Sequence, residues 1–340
     1  EGAREVVRTR CERGADIAAC GAVEQIAAPM RQNFSQTENQ IGKGITRAQF
    51  GHLRDYTESF LRDHGALFAA RVAAQCIVDG HGELHLRNMC LYQGRVVIFD
   101  CIEFTRALRA GDMVSDIAFL TMDMDARGLP RPGNVFLNAY LEQTGNYHGV
   151  ALLDFYQVYR ACVRAKVSAF LADSAETGTE RAAAQRDTAA YFALAHGYLA
   201  QRPAGLIITC GLSGSGKTTM ANRVAEHLGA IVVRSDAVRK HLAGMALQQR
   251  MDTGFAQGIY HPEMTRKTYA AMLQHARTIA ASGRWVILDA TYPTPGYRKE
   301  AADTARDMGI PFFILHSSAP RAELEQRLAR RQSQGSDISD

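Results

Sequence analysis

The sequence predicts two domains of different class: a doubly wound α/β domain with a parallel sheet over residues 203–340, preceded over residues 1–202 by a mainly α-helical one. Three observations carry that reading. In the second half, apolar runs of strand length alternate with longer helical stretches, as in a parallel sheet with crossover helices. In the first half, apolar residues recur at helical spacing, with one hairpin-like pair among them. Between the halves, Arg202-Pro203-Ala204-Gly205 breaks a helical pattern, and a length of 340 residues suits about two domains.

Composition narrows the classes. An apolar fraction of 46% and a charged fraction of 22% are those of a globular protein with a sizeable core. A net charge of +4 is too small to argue for nucleic acid by itself. No nucleic-acid partner is expected, a 5′-hydroxyl end being the one form in which such a chain would serve as an acceptor. Seven cysteines, an odd number with no C-x-x-C pair, read as reduced thiols and not as a disulfide or zinc framework. No apolar run approaches the ~18 residues of a membrane span, and no signal peptide opens the chain, so a cytoplasmic protein with no membrane partner is expected. The chain opens on Glu1 and not on methionine, which reads as a fragment end.

Taken in order, residues 1–47 hold short helical patches broken by Gly14, Gly21, Pro29, Gly42 and Gly44. Over residues 47–68, Phe50, Leu53, Thr57, Phe60 or Leu61, and Leu67 form one helical stripe facing a core. Residues 76–79 lead into the stretch HGELHLRN at 81–88. Two short strands follow, 89–92 and 95–99, flanking a Gln93-Gly94 turn, with Asp100 ending the second. Residues 112–124 (helix), 151–171 (a nearly all-round apolar helix carrying Arg160, Arg164 and Lys166) and 180–201 (Tyr191, Leu194, Tyr198 and Leu199 on one face) complete this half.

The second half is organised around residues 205–219, GLIITCGLSGSGKTT. The first residues after Gly205 read as a buried strand, and residues 219–228 have helical composition. Between them lies G-x-x-x-x-G-K-[ST], running from Gly211 to Gly216, Lys217 and Thr218. Strand, glycine loop and helix in that order make a phosphate site, because backbone N–H groups and the helix N-terminus crowd around phosphate oxygens. The bland reading is a glycine-rich turn with an accidental lysine. Read as a nucleotide site, the loop offers Gly211, Ser213, Gly214, Ser215, Gly216, Lys217, Thr218 and Thr219 to ATP. Lys217 is placed for the β- and γ-phosphates and the Thr218 hydroxyl for Mg²⁺.

After the loop, residues 231–234 form a second buried strand ending in Ser235-Asp236, with Arg239 one turn into the next helix. In doubly wound sheets ligands gather at the carboxyl ends of strands, which puts Asp236 and Arg239 in the same cleft as Lys217. An Asp at a helix start with an exposed Arg is the plainer alternative. Residues 244–262, with Met245, Met251 and Phe255, read as a lid or substrate cover. A helix over 263–282 precedes the strand at 285–288, which delivers Asp289 to the cleft edge as the acid behind Mg²⁺. Arg298 follows, then a strand over 311–316 and a helix from Arg321 carrying Arg327, Arg330 and Arg331.

The pattern S-D-x-x-R after the second strand resembles small P-loop kinases: gluconate kinase, adenylylsulfate kinase, polynucleotide 5′-kinase and the zeta-toxin group. That resemblance implies that Asp236 meets the acceptor hydroxyl and that Arg298 contacts acceptor or phosphate. It also implies an arginine-bearing lid helix, in which Arg327 or Arg330 neutralises the transferring phosphate. The chain stops at Asp340, before the return strand and helix of those kinases, so a truncated C-terminus is expected.

The first half resembles the aminoglycoside-phosphotransferase and protein-kinase-like fold, whose catalytic loop reads H-G-D-x-x-x-x-N and is followed by a strand ending in a metal-binding Asp. The resemblance implies Glu83 as catalytic base and Asn88 and Asp100 as Mg²⁺ ligands, with Asp116 bracing the loop. Glu83 departs from the family's Asp, and too few residues precede His81 for a glycine-loop lobe, so only a C-terminal lobe is expected. Two other readings of residues 81–88 stand beside this one: a metal cluster of His81, Glu83 and His85, and a retained structural turn.

Together, IFDCIEF, SDIAFL, YRACVRAKV and LDATY carry a resemblance to bacterial bifunctional aminoglycoside phosphotransferase/ATP-binding proteins. This implies an ATP-dependent kinase acting on a small-molecule hydroxyl through the second domain. The alternative is a nucleotide-gated regulatory or binding protein with a degenerate first domain.

Overall fold

The computed structural model describes residues 12–249 and 258–333. The chain divides into two compact units: residues 1–133 with 152–201, and residues 134–151 with 202–340.

The first unit opens with α1 (Ala15–Ala19), α2 (Val23–Thr37), α3 (Arg47–Asp63) and α4 (Gly65–Ala73). The sequence pattern predicted one helix where α3 and α4 lie. Thr46 and Gln49 form a reciprocal cap that starts α3. At its end His64 leaves the helical region with φ −115°, its ring stacks on Phe60 at 4.0 Å, and Gly65 restarts the chain in α4. A continuous apolar stripe does not reveal such a break.

Next come β1 (Ile77–Asp79), the hairpin of β2 (Met89–Tyr92) and β3 (Arg95–Ile98), and β4 (Ala110–Asp112), which pairs antiparallel with β1. Gln93 and Gly94 both have positive φ, 49° and 73°, which matches the twist of a tight hairpin. α5 (Met113–Ala126) starts at Asp112, whose carboxylate accepts from the Val114 N–H and is gripped by the buried Arg71 through two bonds of 2.7 Å. α6 (Pro130–Thr144) belongs from residue 134 to the second unit. α7 (Leu153–Ser174) and α8 (Gly178–Gly197) complete the first, with Phe34, Phe50, Leu53, Phe119, Met122, Val158 and Phe192 in its core.

The second unit runs β5 (Gly205–Cys210), α9 (Lys217–Leu228), β6 (Ile231–Arg234), α10 (Ser235–Leu242), α11 (Pro262–Ala281), β7 (Trp285–Asp289), α12 (Pro295–Asp307), β8 (Phe312–His316) and α13 (Arg321–Ser333). Its four strands are parallel in the order β6-β7-β5-β8, with Ile207 opposite both Ile287 and Phe313. The connection from β5 to β6 steps one way across the sheet, and those from β6 to β7 and β7 to β8 step back. Right-handed crossovers therefore set α9 on one face and α11 with α12 on the other, which is a doubly wound sheet. Ala221 and Ala225 of α9 accordingly pack on Ile207, Val232 and Ile287.

β6 is an edge strand, and residues 134–151 seal it. The Asn138 Oδ1 accepts from the Val232 N–H at 2.7 Å, and its Nδ2 donates to the Ala230 carbonyl at 3.0 Å, where Asn134 Nδ2 also donates. Asparagine side chains carry both a donor and an acceptor, so they stand in for a neighbouring strand on groups otherwise left unpaired.

Candidate phosphate and cation site

The loop between β5 and α9 is shaped by backbone constraints that only its own residues satisfy. A Cβ on Gly211 would lie 2.1 Å from the Ser317 carbonyl oxygen, so any side chain there would collide with the chain leaving β8. Gly216 takes φ 98° as the N-cap of α9, a conformation that L side chains rarely adopt. The Ser317 hydroxyl donates to the Ser215 carbonyl at 2.7 Å, and its N–H donates to the Cys210 carbonyl at 2.8 Å. The loop is thus tied to β8 on one side.

Lys217, only 6% exposed, heads α9, and its Nζ donates to the Gly211 and Leu212 carbonyls at 3.0 Å each. The next residue, Thr218, donates from Oγ1 to Asp289 Oδ2 at 2.7 Å. Asp289 closes β7, the strand directly beside β5, so the adjacency of the two strands brings the hydroxyl and the carboxylate together. Thr209, at the end of β5, lies 3.1 Å from Asp289 Oδ1 and 2.8 Å from the Ala290 carbonyl. Arg234 Nε stands 3.7 Å from Asp289 Oδ2, while its Nη1 donates to Glu142 Oε1 at 2.6 Å. Burial works against the Arg234 charge, but Glu142, Asp289 and Asp236 outweigh it and hold the guanidinium above its ordinary value.

Arg327 of α13 donates to the Gly214 carbonyl at 3.0 Å and pairs with Glu323, so it touches the loop directly. Arg330 lies within α13, but its side chain is outside the described residues, as are Met251 and Phe255 of the expected lid. Asp236 sits in the first turn of α10 without capping it, since Arg234 is the N-cap. Its carboxylate accepts from Tyr260 Oη at 3.3 Å and lies 3.6 Å from Lys240 Nζ. Arg239 is fully buried: its Nη1 donates to Thr265 Oγ1 at 3.1 Å and its guanidinium lies 4.8 Å over the Tyr260 ring. Arg298 donates to the Tyr292 carbonyl at 2.7 Å, and Tyr292, with φ 47°, is a strained residue just beyond Asp289. Sequence reasoning missed Arg234, Thr209, Ser317 and Glu142, none of which stands in a motif; the first three lie at or just beyond strand ends, and Glu142 lies in α6.

Residues 81–88 of the first unit are braced from within. Asp116 accepts from the His81 N–H at 2.7 Å and the Gly82 N–H at 3.0 Å, and Arg160 donates to the Gly82 carbonyl at 2.8 Å. The His81 Nδ1 accepts from the Glu83 N–H, which assigns the ring proton to Nε2 for donation to the Phe99 carbonyl at 3.0 Å. Asn88 Nδ2 donates to the Glu83 and Asp100 carbonyls at 3.1 and 3.4 Å, whereas the Glu83 and Asp100 side chains are exposed. His85 packs edge-on against Phe119, and burial, with Arg164 nearby, pushes its imidazole below the ordinary value. Among the described residues, no group of three His, Cys, Asp or Glu side chains is placed to hold a metal ion.

Comparison with known proteins bears on the same region. Residues 206–340 match the family described as an AAA domain. The matched stretch takes in the parallel sheet and the glycine loop before Lys217. The whole chain is also similar to uncharacterized proteins of Mycobacterium tuberculosis (strain ATCC 25618 / H37Rv) and Mycobacterium bovis (strain ATCC BAA-935 / AF2122/97). Each is 31% identical over 330 residues, which cover 97% of this chain and 65% of the relative. The chain therefore spans about two thirds of the length of these relatives, 65%. Among solved structures, the Mycobacterium tuberculosis APS kinase CysC, in complex with AMPPNP and APS, shares 24% identity at a TM-score of 0.32. The match covers 40% of this chain and 74% of that one. The protein APE1195 shares 23% identity at a TM-score of 0.31, over 41% of this chain and 79% of that one. Among the described residues, no helix is long and apolar enough to cross a membrane.

Proposed function

We propose that the P-loop domain binds Mg-ATP and transfers the γ-phosphoryl group to a hydroxyl of a small molecule in the cytoplasm. The observation that carries this reading is the 2.7 Å bond between Thr218 and Asp289 beside the buried Lys217, with Asp236 in the first turn of the helix that follows β6 of the same sheet. A hydroxyl and a carboxylate joined at the head of a phosphate loop are the donor set for a hard divalent cation. The fit also extends to the loop: the Ser215 hydroxyl is buried without a partner, and Gly211 leaves no room for a Cβ.

Each residue has a separate task in that reaction. Lys217 gives up its loop carbonyls to the β- and γ-phosphate oxygens, exchanging neutral acceptors for charged ones. Thr218 and Asp289 would hold Mg²⁺, which supplies neutralisation of charge on the phosphate oxygens. Arg327, already on the loop, adds a cation on the γ-phosphate side. Asp236 orients the acceptor hydroxyl and takes its proton late in the transfer. Arg239 and Arg298, each engaged by protein groups, shape the walls around the acceptor.

The first unit supports a phosphotransferase-like lobe whose loop is a structural turn. Asp116 and Arg160 hold the backbone of His81 and Gly82, and the Asn88 amide donates to the Glu83 and Asp100 carbonyls. The function is tested by following labelled γ-phosphate from ATP into a fractionated metabolite pool with the full chain. Transfer that disappears in Lys217→Ala supports the reading; label released only as inorganic phosphate across the whole pool refutes it.

A further inference from the structure

Asp289 is the residue on which the cation reading rests, and each of its oxygens already has company. Oδ1 faces Thr209 at 3.1 Å, and Oδ2 is shared between the Thr218 hydroxyl at 2.7 Å and Arg234 Nε at 3.7 Å. At 3.7 Å the guanidinium is close enough for charge attraction and too far for a hydrogen bond. A free guanidinium beside a buried carboxylate would close that gap, because the paired, bidentate geometry is the favoured one. Something holds it back.

The restraint is Glu142. Its Oε1 takes Arg234 Nη1 at 2.6 Å, a short charge-assisted bond on the far side of the guanidinium from Asp289. Glu142 belongs to residues 134–151, far from the phosphate loop in sequence, yet its helix is fixed against β6 by Asn134 and Asn138. Arg234 ends β6 and is anchored in the sheet through the pairing of Arg234 with Asp289 in register. The side chain therefore sits between two carboxylates, one on the sheet and one on the sealing helix, and it commits to the second.

We infer that Glu142 is a positioning residue for the cation site: it tethers Arg234 away from Asp289 Oδ2 and so leaves that oxygen to the metal. The inference rests on the nucleotide reading above and adds to it a residue that no motif contains. Removing the charge at position 142 leaves Asp289 as the only carboxylate within ion-pair distance of Arg234 among the described residues. Arg234 then competes with the cation for Oδ2. Changes in the groups that orient a metal ligand cost about 10–100-fold in metal affinity, and the partial exposure of Arg234 and Glu142, 31% and 32%, places this one near the lower end.

The experiment uses the full chain and a fluorescent ribose-labelled ATP analogue, titrated with and without Mg²⁺, with bound Mn²⁺ counted directly by electron paramagnetic resonance. Glu142→Gln keeps the shape and loses the charge. It is expected to raise the Mg²⁺ concentration for half-maximal nucleotide binding by about tenfold, while metal-free nucleotide affinity stays as in the parent. The double variant Glu142→Gln/Arg234→Gln, which removes the competitor too, should bring the requirement back to the parent value or below. Unfolding curves of both variants show whether they are folded, and a folded double variant decides the matter even where the single one is unstable. An unchanged Mg²⁺ requirement in Glu142→Gln, or a double variant as impaired as the single, overturns the inference while the nucleotide site stands. Failure of the reading beneath it looks different: the parent would bind no nucleotide, or Lys217→Ala would bind it equally well, and both ideas would fall.

Discussion

Replacing Asn138 by alanine isolates the contribution of residues 134–151 to the second unit. The side chain makes two bonds to the edge strand, Oδ1 from the Val232 N–H at 2.7 Å and Nδ2 to the Ala230 carbonyl at 3.0 Å. The two strand groups fare differently once the amide is gone. The Ala230 carbonyl keeps Asn134 Nδ2 at 3.0 Å, so it remains satisfied. The Val232 N–H belongs to a residue only 4% exposed and is left without its acceptor. A buried donor stranded in this way costs about 1–3 kcal/mol, against about 0.5–1.5 kcal/mol for a bond lost without an orphan. Asn138→Ala should therefore destabilise the second unit by about 2 kcal/mol and Asn134→Ala by about 1 kcal/mol. For a unit of this size each kcal/mol moves Tm by about 2–4 °C, so the pair should separate clearly. The single tryptophan, Trp285, starts β7 within that unit and packs beneath Gly205, which makes its fluorescence a reporter of this unit alone. An Asn138→Ala transition coincident with the parent, or one less affected than Asn134→Ala, would refute the reasoning.

Four further outcomes are expected. Lys217→Ala should weaken Mg-ATP binding by roughly 10–150-fold without shifting the Trp285 unfolding transition, since charge-assisted bonds are each worth about 1.5–3 kcal/mol; calorimetry measures the first and fluorescence the second. Asp236→Asn should leave ATP affinity near the parent value and cut phosphoryl transfer by about 10²–10⁴-fold. Full transfer with the true acceptor present would rule out its role, and helix capping gives no cover because Asp236 is not the N-cap. His275 is held neutral, its value pushed down to about 4 from 6.5 by burial and by His148 and His241. The unfolded chain binds that proton first, so stability present above pH 6.5 should fall by roughly 3 kcal/mol as pH drops towards 4, and His275→Phe should flatten that slope in urea titrations. Asp116→Ala should cost the first unit about 3 kcal/mol through two lost bonds to the His81 and Gly82 N–H groups, seen as faster amide exchange over residues 81–88.

The parts of this fold that were legible in sequence are those in which one short stretch carries its own physical signature. The strands at 205–210, 231–234, 285–289 and 312–316 announce themselves as apolar runs, and the phosphate loop as glycines before Lys217 and Thr218. The Gln93-Gly94 hairpin is equally local. What escaped depends on partners distant in the chain. The helix α6 over Pro130–Thr144 was not read from the sequence, and its buried Leu137, Tyr140 and Leu141 belong to the second unit. β1 and β4 are too short for periodicity and exist because each supplies the other's hydrogen bonds. Arg239, expected in the cleft with Lys217, is instead buried against Tyr260 and Thr265, a placement that a residue count from Asp236 does not reveal.

The same eighteen-residue stretch that seals β6 also supplies Glu142, and the two roles are physically connected. An edge strand with unpaired groups can slip or fray, and its C-terminal end is where Arg234, Ser235 and Asp236 leave the sheet. Fixing Val232 and Ala230 with asparagine amides sets the register of that end against β7, which ends on Asp289. Asp236 and Asp289 thereby follow and end neighbouring strands, one of which is held by a piece of chain from the first half of the sequence. A domain cut at residue 202 would keep every motif residue of the phosphate loop and lose Asn134, Asn138 and Glu142, which hold β6 and Arg234.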